Sequence, residues 1–381
     1  MPSSVQKSGS VTVYSFEHPA NGWHLSIATN APEHSGKLSL GGFRIVPKAL
    51  AAEPGFDPVK MAAGLAHGME EKVYWSRILH VGGPLAVRDM GRIVGGKCVL
   101  VPTDDARVGQ PRDRQVLDWA IDCLRRFDDD TGIHVVTGQD LGHGIMSDGR
   151  TGSLDYMARR FRGCVDADTS KPTGEGNFHL LRGMLAGLDI DLATATVGLV
   201  GIGNIGMHLL ERLLASGATV LAVETSPARR GAAEKLGVRT FGSEDKAQFL
   251  AEPMDAIAVN ANKESLDPAS VDAIVRNPRL RVVCGSENLA MPDPSSAETL
   301  RVARRSYAPT ELGGMMGYLT AVEEYLSLLE SKPFDVETLM VASQRLAEAG
   351  ERAARRQVER DFAISFEDAV REVYAGGPGA A

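Results

Sequence analysis

The 381-residue sequence lacks the features that would suit it to membranes, nucleic acids or a disulfide-stabilised fold. No apolar run approaches the roughly 18 residues of a membrane-spanning helix, and the N-terminus has no apolar secretory stretch. The four cysteines are scattered without a CxxC pair, and no HExxH-type spacing occurs, so no disulfide framework or metal site is indicated. The net charge of −8 provides no basic excess for nucleic acid or anionic lipid. We therefore expect a cytoplasmic protein without a nucleic-acid, membrane or metal partner.

Length and pattern indicate two domains followed by a helical C-terminus. A chain of this length exceeds one typical core, and the composition changes near residue 165. Residues 1–165 combine short β-prone runs with amphipathic helices, whereas residues 166–325 alternate strand and helix, which predicts a parallel sheet with helices on both faces. Residues 326–381 are helical in pattern. Residues 166–177 are rich in Asp, Ser, Thr, Gly and Pro, which predicts a loop or hinge.

A glycine-rich turn, Gly201-Ile202-Gly203-Asn204-Ile205-Gly206, follows a predicted strand and opens a predicted helix. Gly201 permits the tight turn, Gly203 lets the backbone approach a pyrophosphate, and Gly206 lets the helix pack on the strand. Backbone N–H groups and the positive helix end would hold the phosphates. The motif alone is a weak signal, and a glycine-rich turn of another α/β protein is the alternative. With its flanking elements it predicts a Rossmann nicotinamide-dinucleotide site and an oxidoreductase.

The end of the next predicted strand bears on the choice of cofactor. Glu224 lies 18 residues after Gly206, followed by Thr225, where an acid would bind the ribose hydroxyls. A carboxylate there would repel a 2′-phosphate, so NAD is favoured over NADP. Arg229 and Arg230 follow closely and could reach a phosphate, although they also suit the surface of the next helix.

Four short motifs precede the nucleotide site. They are Gly41-Gly42-Phe43-Arg44, Gly68-Met69-Glu70-Glu71-Lys72, Gly95-Gly96-Lys97-Cys98-Val99 and Thr137-Gly138-Gln139-Asp140-Leu141-Gly142. Each is weak alone, but in this order the chain resembles the glutamate/leucine/phenylalanine/valine dehydrogenase family over roughly residues 37–330. Members of this family interconvert 2-amino acids and 2-oxo acids with NAD(P).

The resemblance implies roles for these residues. Gly41 and Gly42 would line the substrate pocket, and Lys72 would grip the substrate carboxylate as a point charge. Lys97 would be the catalytic lysine, whose ammonium stabilises charge on a carbinolamine oxygen and whose partial burial suits proton transfer. Asp140 would exchange protons with the amine and the water. Taken singly, Lys72 could serve only the helix dipole, Lys97 could be a solvated edge residue, and Asp140 could be a turn residue.

The resemblance also implies the architecture. We expect an N-terminal α/β substrate and oligomerisation domain, a C-terminal Rossmann dinucleotide-binding domain, C-terminal helices that pack back across the cleft, and a homo-oligomer. Loops at the ends of cofactor-domain strands would contribute further cofactor contacts. These residues are Asn260, Ala261, Asn262, Glu287 and Asn288.

Three departures from the family pattern concern the surroundings of the substrate. The segment between Lys72 and Lys97 has 24 residues, which is longer than the family's. Gly176 falls near a threonine that the family places by the nicotinamide amide. Glu311 falls near an asparagine that touches the substrate, and a carboxylate there would disfavour a second carboxylate or favour a cation.

The leading interpretation is NAD-dependent oxidative deamination of an L-amino acid, or reductive amination of its 2-oxo acid or a related imine with ammonia. One alternative is an NAD(P) oxidoreductase that acts on a hydroxy acid or other non-amino substrate. Such enzymes usually need a His–acid pair and an arginine in the cofactor half, where the nearest histidine after Gly206 is His208, inside the motif's own helix. The other alternative is a non-catalytic NAD(H)-binding sensor or subunit. The joint presence of Lys72, Lys97 and Asp140 argues against it.

Overall fold

The computed structural model describes residues 2–262 and 264–374 and divides the chain into two units. Unit 1 comprises the chain up to Tyr74, Pro84–Thr169 and Tyr318–Asp335. Unit 2 comprises Trp75–Gly83, Ser170–Gly317 and the chain from Val336 onward. Within the described ranges, no helix is long and apolar enough to cross a membrane.

Unit 1 contains most of the first half of the chain. Its strands are β1 (Ser4–Ser8), β2 (Val11–Glu17), β3 (His24–Thr29), β4 (Leu38–Leu40), β5 (Phe43–Ile45), β6 (Ile93–Val101) and β7 (His134–Val136). Helices in this part of the chain are α1 (Lys48–Ala51), α2 (Pro58–Leu79), α3 (Pro84–Asp89), α4 (Asp113–Thr131) and α5 (Ser153–Ala158). The last residues of α2, from Trp75, belong to unit 2.

Unit 2 follows from Ser170. Its strands are β8 (Thr196–Val200), β9 (Thr219–Val223), β10 (Arg239–Phe241), β11 (Ala256–Val259), β12 (Val282–Gly285) and β13 (Ser306–Tyr307). The helices from here to the C-terminus are α6 (Ser170–Gly187), α7 (Asn204–Ala215), α8 (Pro227–Glu234), α9 (Lys246–Ala251), α10 (Pro268–Arg276), α11 (Ser295–Val302), α12 (Thr310–Gly313), α13 (Met315–Leu329), α14 (Val336–Ala342), α15 (Arg345–Glu359) and α16 (Phe366–Tyr374).

The sheet of unit 1 is mixed, with the order β1-β2-β3-β6-β4-β7 and with β5 also paired to β6. Strands β1, β2, β3 and β6 are antiparallel neighbours, whereas β4 and β5 run parallel to β6. The β-prone run over residues 38–45 forms two strands, divided at Gly41-Gly42. The apolar stripe of α4, with Leu117, Ile121 and Phe127, is buried in the core that includes Leu25 and Ile27 of β3.

The sheet of unit 2 is parallel throughout, in the order β10-β9-β8-β11-β12-β13. Numbered within the unit, this is the order 3-2-1-4-5-6 of a Rossmann fold. The strand order reverses between β8 and β11, and such a reversal opens a ligand crevice at the carboxyl ends of the strands. The predicted α/β class and Rossmann sheet are confirmed.

Helix α6 corrects the expectation of a loop over residues 166–177, because the helix already begins at Ser170. Pro172 lies in the first turn, where a missing N–H costs little. The glycines and threonine that suggested a loop are buried along this helix. Helix α15, which is rich in alanine and contributes the buried Ala349 and Ala353, packs along α6.

The C-terminal part of the chain is divided between the units. Only Tyr318–Asp335 belongs to unit 1, and α14, α15 and α16 belong to unit 2. The prediction from sequence is that residues 326–381 are helices that return to the first domain. Residues 375–381 of this range lie outside the described residues. The packing of α15 on α6 accounts for the difference in the described part.

Candidate active site

The loop that follows β7 lies against β5. The amide of Phe43 donates to the carbonyl of Gly138 (2.9 Å), and the amide of Ile45 donates to that of Leu141 (2.9 Å). These two hydrogen bonds fix the loop that carries Asp140 against β5. Asp140 is thereby held beside Arg44, which lies between the two bonded positions.

Lys97, Asp140 and Arg44 form a buried charged group, here called the catalytic trio. The Lys97 ammonium pairs with Oδ2 of Asp140. The Arg44 guanidinium donates from Nη2 to Oδ1 of Asp140 (3.0 Å) and from Nε to Oδ2 (3.3 Å). Lys97 is 5% exposed and Arg44 6%, so these charges are compensated by one another rather than by solvent.

Burial and mutual charge set the proton affinities of the trio. Burial lowers the pKa of Lys97, and the Arg44 charge acts in the same direction, while Asp140 opposes both. Burial opposes ionisation of Asp140, but the Lys97 ammonium and the Arg44 guanidinium outweigh it and hold the pKa of Asp140 well below its usual range. Asp140 therefore stays ionised, and Lys97 is the group whose proton is easier to release than usual.

Gly42 lies directly against the trio. A Cβ at this position would come within 2.8 Å of the Gln139 carbonyl, 3.0 Å of the Asp140 Cβ and 3.1 Å of the Lys97 Nζ. A side chain would therefore displace the loop or the ammonium. The predicted substrate residue Gly42 and the predicted catalytic residues Lys97 and Asp140 are thus brought together in one place.

Lys72 is 6% exposed on α2, a helix that is tied to β6. The Glu70 carboxylate accepts a hydrogen bond from the Gly95 amide (2.6 Å), which fixes α2 near the start of β6 two residues before Lys97. Glu311, in contrast, belongs to unit 2, where it lies in the first turn of α12.

A cavity in unit 2 opens at the glycine turn. Predicted cofactor residues that line it are Gly201, Gly203, Glu224, Thr225, Asn260, Ala261 and Asn262. The sequence analysis assigned no cofactor contact to Ser243, Lys246 and Ser265, which also line it, and left Arg229 open. Asn204, Ile205 and Gly206 begin α7 beside the cavity, with Gly203 as the N-cap.

The glycine turn fits a bound pyrophosphate. Gly201 has a φ of +83°, which favours glycine, and its Cβ would meet the backbone of Asn260 and Ala261 at 3.0 Å. The Cβ of Gly203 would meet only the end of the Arg229 side chain, at 3.5 Å. Packing within the protein therefore does not require glycine at 203, whereas close approach of a ligand to the backbone does.

The two predicted acidic residues of this region have different roles. Glu224 lines the cavity, and its carboxylate accepts hydrogen bonds from the amides of Ile202 (2.9 Å) and Ser226 (2.9 Å). Glu287 is not part of the cavity lining. Its carboxylate accepts hydrogen bonds from the amides of Ala261 (3.0 Å) and Ser265 (2.8 Å). Glu287 thus shapes the loop after β11. Its neighbour Asn288 does not line the cavity either.

Two buried amide atoms of unit 2 have no hydrogen-bond partner among the described residues. Nδ2 of Asn260 is one, although its Oδ1 accepts from the Ser286 hydroxyl (2.7 Å). Oδ1 of Asn177 is the other, 2.8 Å from the position a Cβ of Gly313 would occupy. An unmade buried hydrogen bond is costly, so these atoms fit a polar ligand at the carboxyl ends of β11 and β12. Asn177 was not predicted as a site residue, because in the sequence it is only a polar residue followed by an apolar helical run.

Comparison with known proteins finds similar dehydrogenases. Residues 157–265 match the family model of the D-isomer specific 2-hydroxyacid dehydrogenase NAD binding domain. Valine dehydrogenase from Streptomyces coelicolor is 27% identical over 304 residues, which cover 76% of this chain and 74% of that protein. Valine dehydrogenase from Streptomyces virginiae is 26% identical, with 76% and 75% covered.

Solved structures share the fold over nearly the whole chain. L-tryptophan dehydrogenase from Nostoc punctiforme superimposes with a TM-score of 0.66 at 16% identity, covering 95% of this chain and 94% of that one. The Leu-bound hetero-hexameric glutamate dehydrogenase from Thermus thermophilus has a TM-score of 0.65 at 15% identity, covering 98% and 87%. The sequence similarity supports a divergent relative of the amino-acid dehydrogenases. The resemblance inferred from the order of the motifs is confirmed, and so is the assignment as an oxidoreductase.

The cofactor half contains a His–acid–Arg group that was not predicted from the sequence. Glu175 of α6 accepts from His208 (3.0 Å) and is paired with His179 (3.2 Å) and Arg212 (2.9 Å). A Cβ at Gly174 would lie 2.8 Å from the His208 ring, so α6 and α7 are in close contact here. The group joins α6 to α7 through these ion pairs.

Proposed function

We propose that this protein catalyses the NAD-dependent oxidative deamination of an L-amino acid. The amino acid, water and NAD⁺ would give the 2-oxo acid, ammonia, NADH and a proton, and the reverse reaction would aminate the 2-oxo acid. The bound nicotinamide would supply the hydride acceptor. Unit 1 would supply the acid–base groups and unit 2 the cofactor site.

The observation that carries this proposal is the catalytic trio packed against Gly42. Deamination needs a group that takes protons from water as it attacks the oxidised substrate and that stabilises the resulting oxyanion. Buried Lys97, with its lowered pKa, suits both tasks. Asp140 stays ionised, which suits it to hold Lys97 and a substrate ammonium group.

The contacts of Arg44 with Asp140 bear on which of the two predicted catalytic residues exchanges protons. A carboxylate that accepts from a guanidinium and an ammonium is a weak base, because protonation would leave two buried cations uncompensated. We therefore assign the main proton exchange to Lys97 and an orienting, electrostatic role to Asp140. Arg44 is a positioning residue in this scheme, since it acts through Asp140.

We propose NAD rather than NADP as the cofactor. The Glu224 carboxylate lines the cavity at the end of β9, where it would meet the ribose and repel a 2′-phosphate. Burial opposes its ionisation, but amide donors from Ser226 and Ile202 keep the pKa of Glu224 below its ordinary value. Arg229 lines the same cavity and is the feature that favours NADP. Arg230 donates to the backbone carbonyls of Glu224 and Thr225, which leaves it less suited to bind a phosphate.

The substrate class follows from Glu311 and from the named relatives. Glu311 acts electrostatically on Glu367, whose pKa is raised chiefly by burial and further by the nearby carboxylates. Near a substrate, the carboxyl groups of Glu311 and Glu367 would disfavour an acidic side chain. We therefore expect an apolar or basic L-amino acid rather than glutamate, with valine as the first compound to test. A homo-oligomeric enzyme is part of the same proposal.

A panel of L-amino acids with NAD⁺ and NADP⁺, and of 2-oxo acids with ammonia and NADH, tests this function. We expect turnover with apolar or basic amino acids, ammonia dependence of the reverse reaction and a higher kcat/KM with NAD⁺. Turnover of 2-hydroxy acids without amino-acid turnover would support the hydroxy-acid alternative. Tight NADH binding with no turnover on the whole panel would support the sensor.

A further inference from the structure

Unit 1 contains a cavity at the start of β4 and β7, which we call the arginine cavity. It is lined by Arg92, Arg125, Arg160, Arg162, His134 and Tyr325, together with apolar residues. Asp128 and Asp129 are the acidic residues of its lining, against four guanidinium groups. The lining thus has an excess of positive charge in a chain whose net charge is −8.

Two of these arginines already have partners and form the wall of the cavity. Arg125 donates to the Asp122 carboxylate (3.1 Å) and to the carbonyl of Arg160. The Arg160 guanidinium lies 3.7 Å from the centroid of the Tyr156 ring and donates to the Tyr156 carbonyl (3.2 Å). These contacts hold both cations in place, and each also pairs with a carboxylate outside the lining, Arg125 with Asp122 and Arg160 with Asp118 at 3.9 Å.

The other two arginines are less fully engaged. Arg92 makes a long ion pair with Asp89, at 3.8 Å. The Arg162 guanidinium makes no ion pair or hydrogen bond with any residue that the structure describes. Clustered guanidinium groups repel one another, and an oxyanion is the ligand that their planar donor geometry matches best.

Tyr325 adds a neutral donor to the same lining. Its ring is buried, at 7% exposure, and within the described ranges its hydroxyl has no hydrogen-bond partner. Burial raises the pKa of Tyr325 and Asp128 adds to this, whereas the charges of Arg162 and Arg92 offset it in part. The hydroxyl is therefore protonated at neutral pH and close enough to both arginines to sense their charge.

We propose that the arginine cavity binds a compact oxyanion, a carboxylate or phosphate group, through Arg162, Arg92 and the Tyr325 hydroxyl. The apolar side of the lining, with Leu38 and Phe161, would contact the remainder of an organic ligand. No step of the proposed deamination uses this cavity. It is a separate ligand site on the same unit.

The strands connect this site to the catalytic trio. Leu38 begins β4, which runs into Gly41-Gly42, and His134 begins β7, which runs towards Asp140. Gly163, also in the lining, accepts a hydrogen bond from the Thr137 amide (2.7 Å) at the end of β7. Three strand residues span about 10 Å, so a ligand here would act on the catalytic loop from one strand length away. This effect on turnover, unlike binding itself, rests on the proposed function.

Isothermal titration of the full-length enzyme with inorganic phosphate and with citrate, at constant ionic strength set by sodium chloride, tests the proposal. The two probes separate a phosphate site from a carboxylate site. We expect saturable binding of at least one, weakened about tenfold or more in Arg162→Gln and severalfold in Tyr325→Phe. Arg126→Gln, on the exposed side of α4 and outside the cavity, is the matched control and should bind as the wild type does.

Two outcomes would overturn the proposal. One is the absence of saturable binding of either probe to the wild type. The other is equal affinity in the Arg162→Gln and Arg126→Gln variants. Neither outcome bears on amino-acid turnover, so failure here is distinguishable from failure of the proposed function.

Discussion

Replacing Arg44 with methionine removes the guanidinium from the catalytic trio while keeping a side chain of similar length. Asp140 then keeps Lys97 as its counter-ion, so no isolated charge is left in the interior. The fold should therefore survive. The substitution removes the guanidinium donors that hold the Asp140 carboxylate against Gly42 and Lys97.

The magnitude follows from the two shortest of the three hydrogen bonds between Arg44 and Asp140. The Nη2 bond to Asp140 at 3.0 Å is well formed, and the Nε bond at 3.3 Å is long. Hydrogen bonds to charged groups contribute about 1.5–3 kcal/mol each, so the pair holds Asp140 with roughly 2–4 kcal/mol. If that free energy is needed in the transition state, kcat/KM should fall by about 30- to 1000-fold.

The pH profile separates this role from a merely structural one. The Arg44 charge lowers the pKa of Lys97, so its removal should raise that pKa. Deamination needs Lys97 in its neutral form in our scheme, and the acidic limb of kcat/KM should therefore move to higher pH. Arg44→Lys keeps a charge but not the guanidinium donors, so it should lose activity with little movement of the limb.

Steady-state oxidation of the preferred amino acid across a range of pH is the assay, with thermal melting to confirm folding. Arg126→Met, an exposed arginine on α4, is the control for loss of one surface charge. A folded Arg44→Met enzyme with kcat/KM within about twofold of wild type, and with the same acidic limb, would refute the reasoning.

Further predictions concern Gly42, Glu224 and Asp128. Gly42→Ala should lower kcat/KM about 100-fold or more by displacing the trio. Gly64→Ala is the control, because its Cβ would lie in open space, and it should leave kcat/KM unchanged and raise Tm. Equal kinetics in the two variants would contradict the packing argument. Glu224→Gln should lower the ratio of kcat/KM for NAD⁺ over NADP⁺ about tenfold, and an unchanged ratio would remove Glu224 from cofactor selection. Burial raises the pKa of Asp128 from 3.8 to about 7, so its ionisation destabilises the fold as pH rises through that window. Asp128→Asn can still accept from the Val135 amide and should raise Tm at pH 8 but not at pH 4; an equal shift at both would be inconsistent with this.

The sequence predicted best those features that short-range pattern encodes. The turn Gly201–Gly206 sits between β8 and α7 as expected, because a strand, a tight turn and a helix are each determined by neighbouring residues. Lys97 and Asp140 were found through the order of motifs, and the structure brings them into contact across 43 residues of chain.

Long-range pairing was not predictable in this way. Arg44 stands inside a motif that the sequence analysis used, but its partner Asp140 is 96 residues away. Glu287 looked like a cofactor ligand because it follows a strand, yet its carboxylate is engaged by the backbone of another loop. The charged group of Glu175, His179, His208 and Arg212 depends in the same way on the packing of α6 against α7.

Helix boundaries failed where tertiary packing outweighs local preference. The Pro- and Gly-containing start of α6 has the composition of a loop, but small residues there allow close approach of α7. Residues 336–373 have one continuous helical pattern but form α14, α15 and α16. Asp361 and Phe362, between α15 and α16, have positive φ values of 52° and 57°, which a helix cannot contain.

The central claim is that Lys97 and Asp140 perform amino-acid chemistry and that dinucleotide binding does not depend on them, and one comparison tests it most directly. Oxidation of the preferred amino acid is measured in Lys97→Met and Asp140→Asn, together with the Kd for NADH from fluorescence titration. We predict that turnover falls about 1000-fold or more in both variants while the Kd for NADH stays within about twofold of wild type. Near-wild-type turnover in either folded variant would contradict the account.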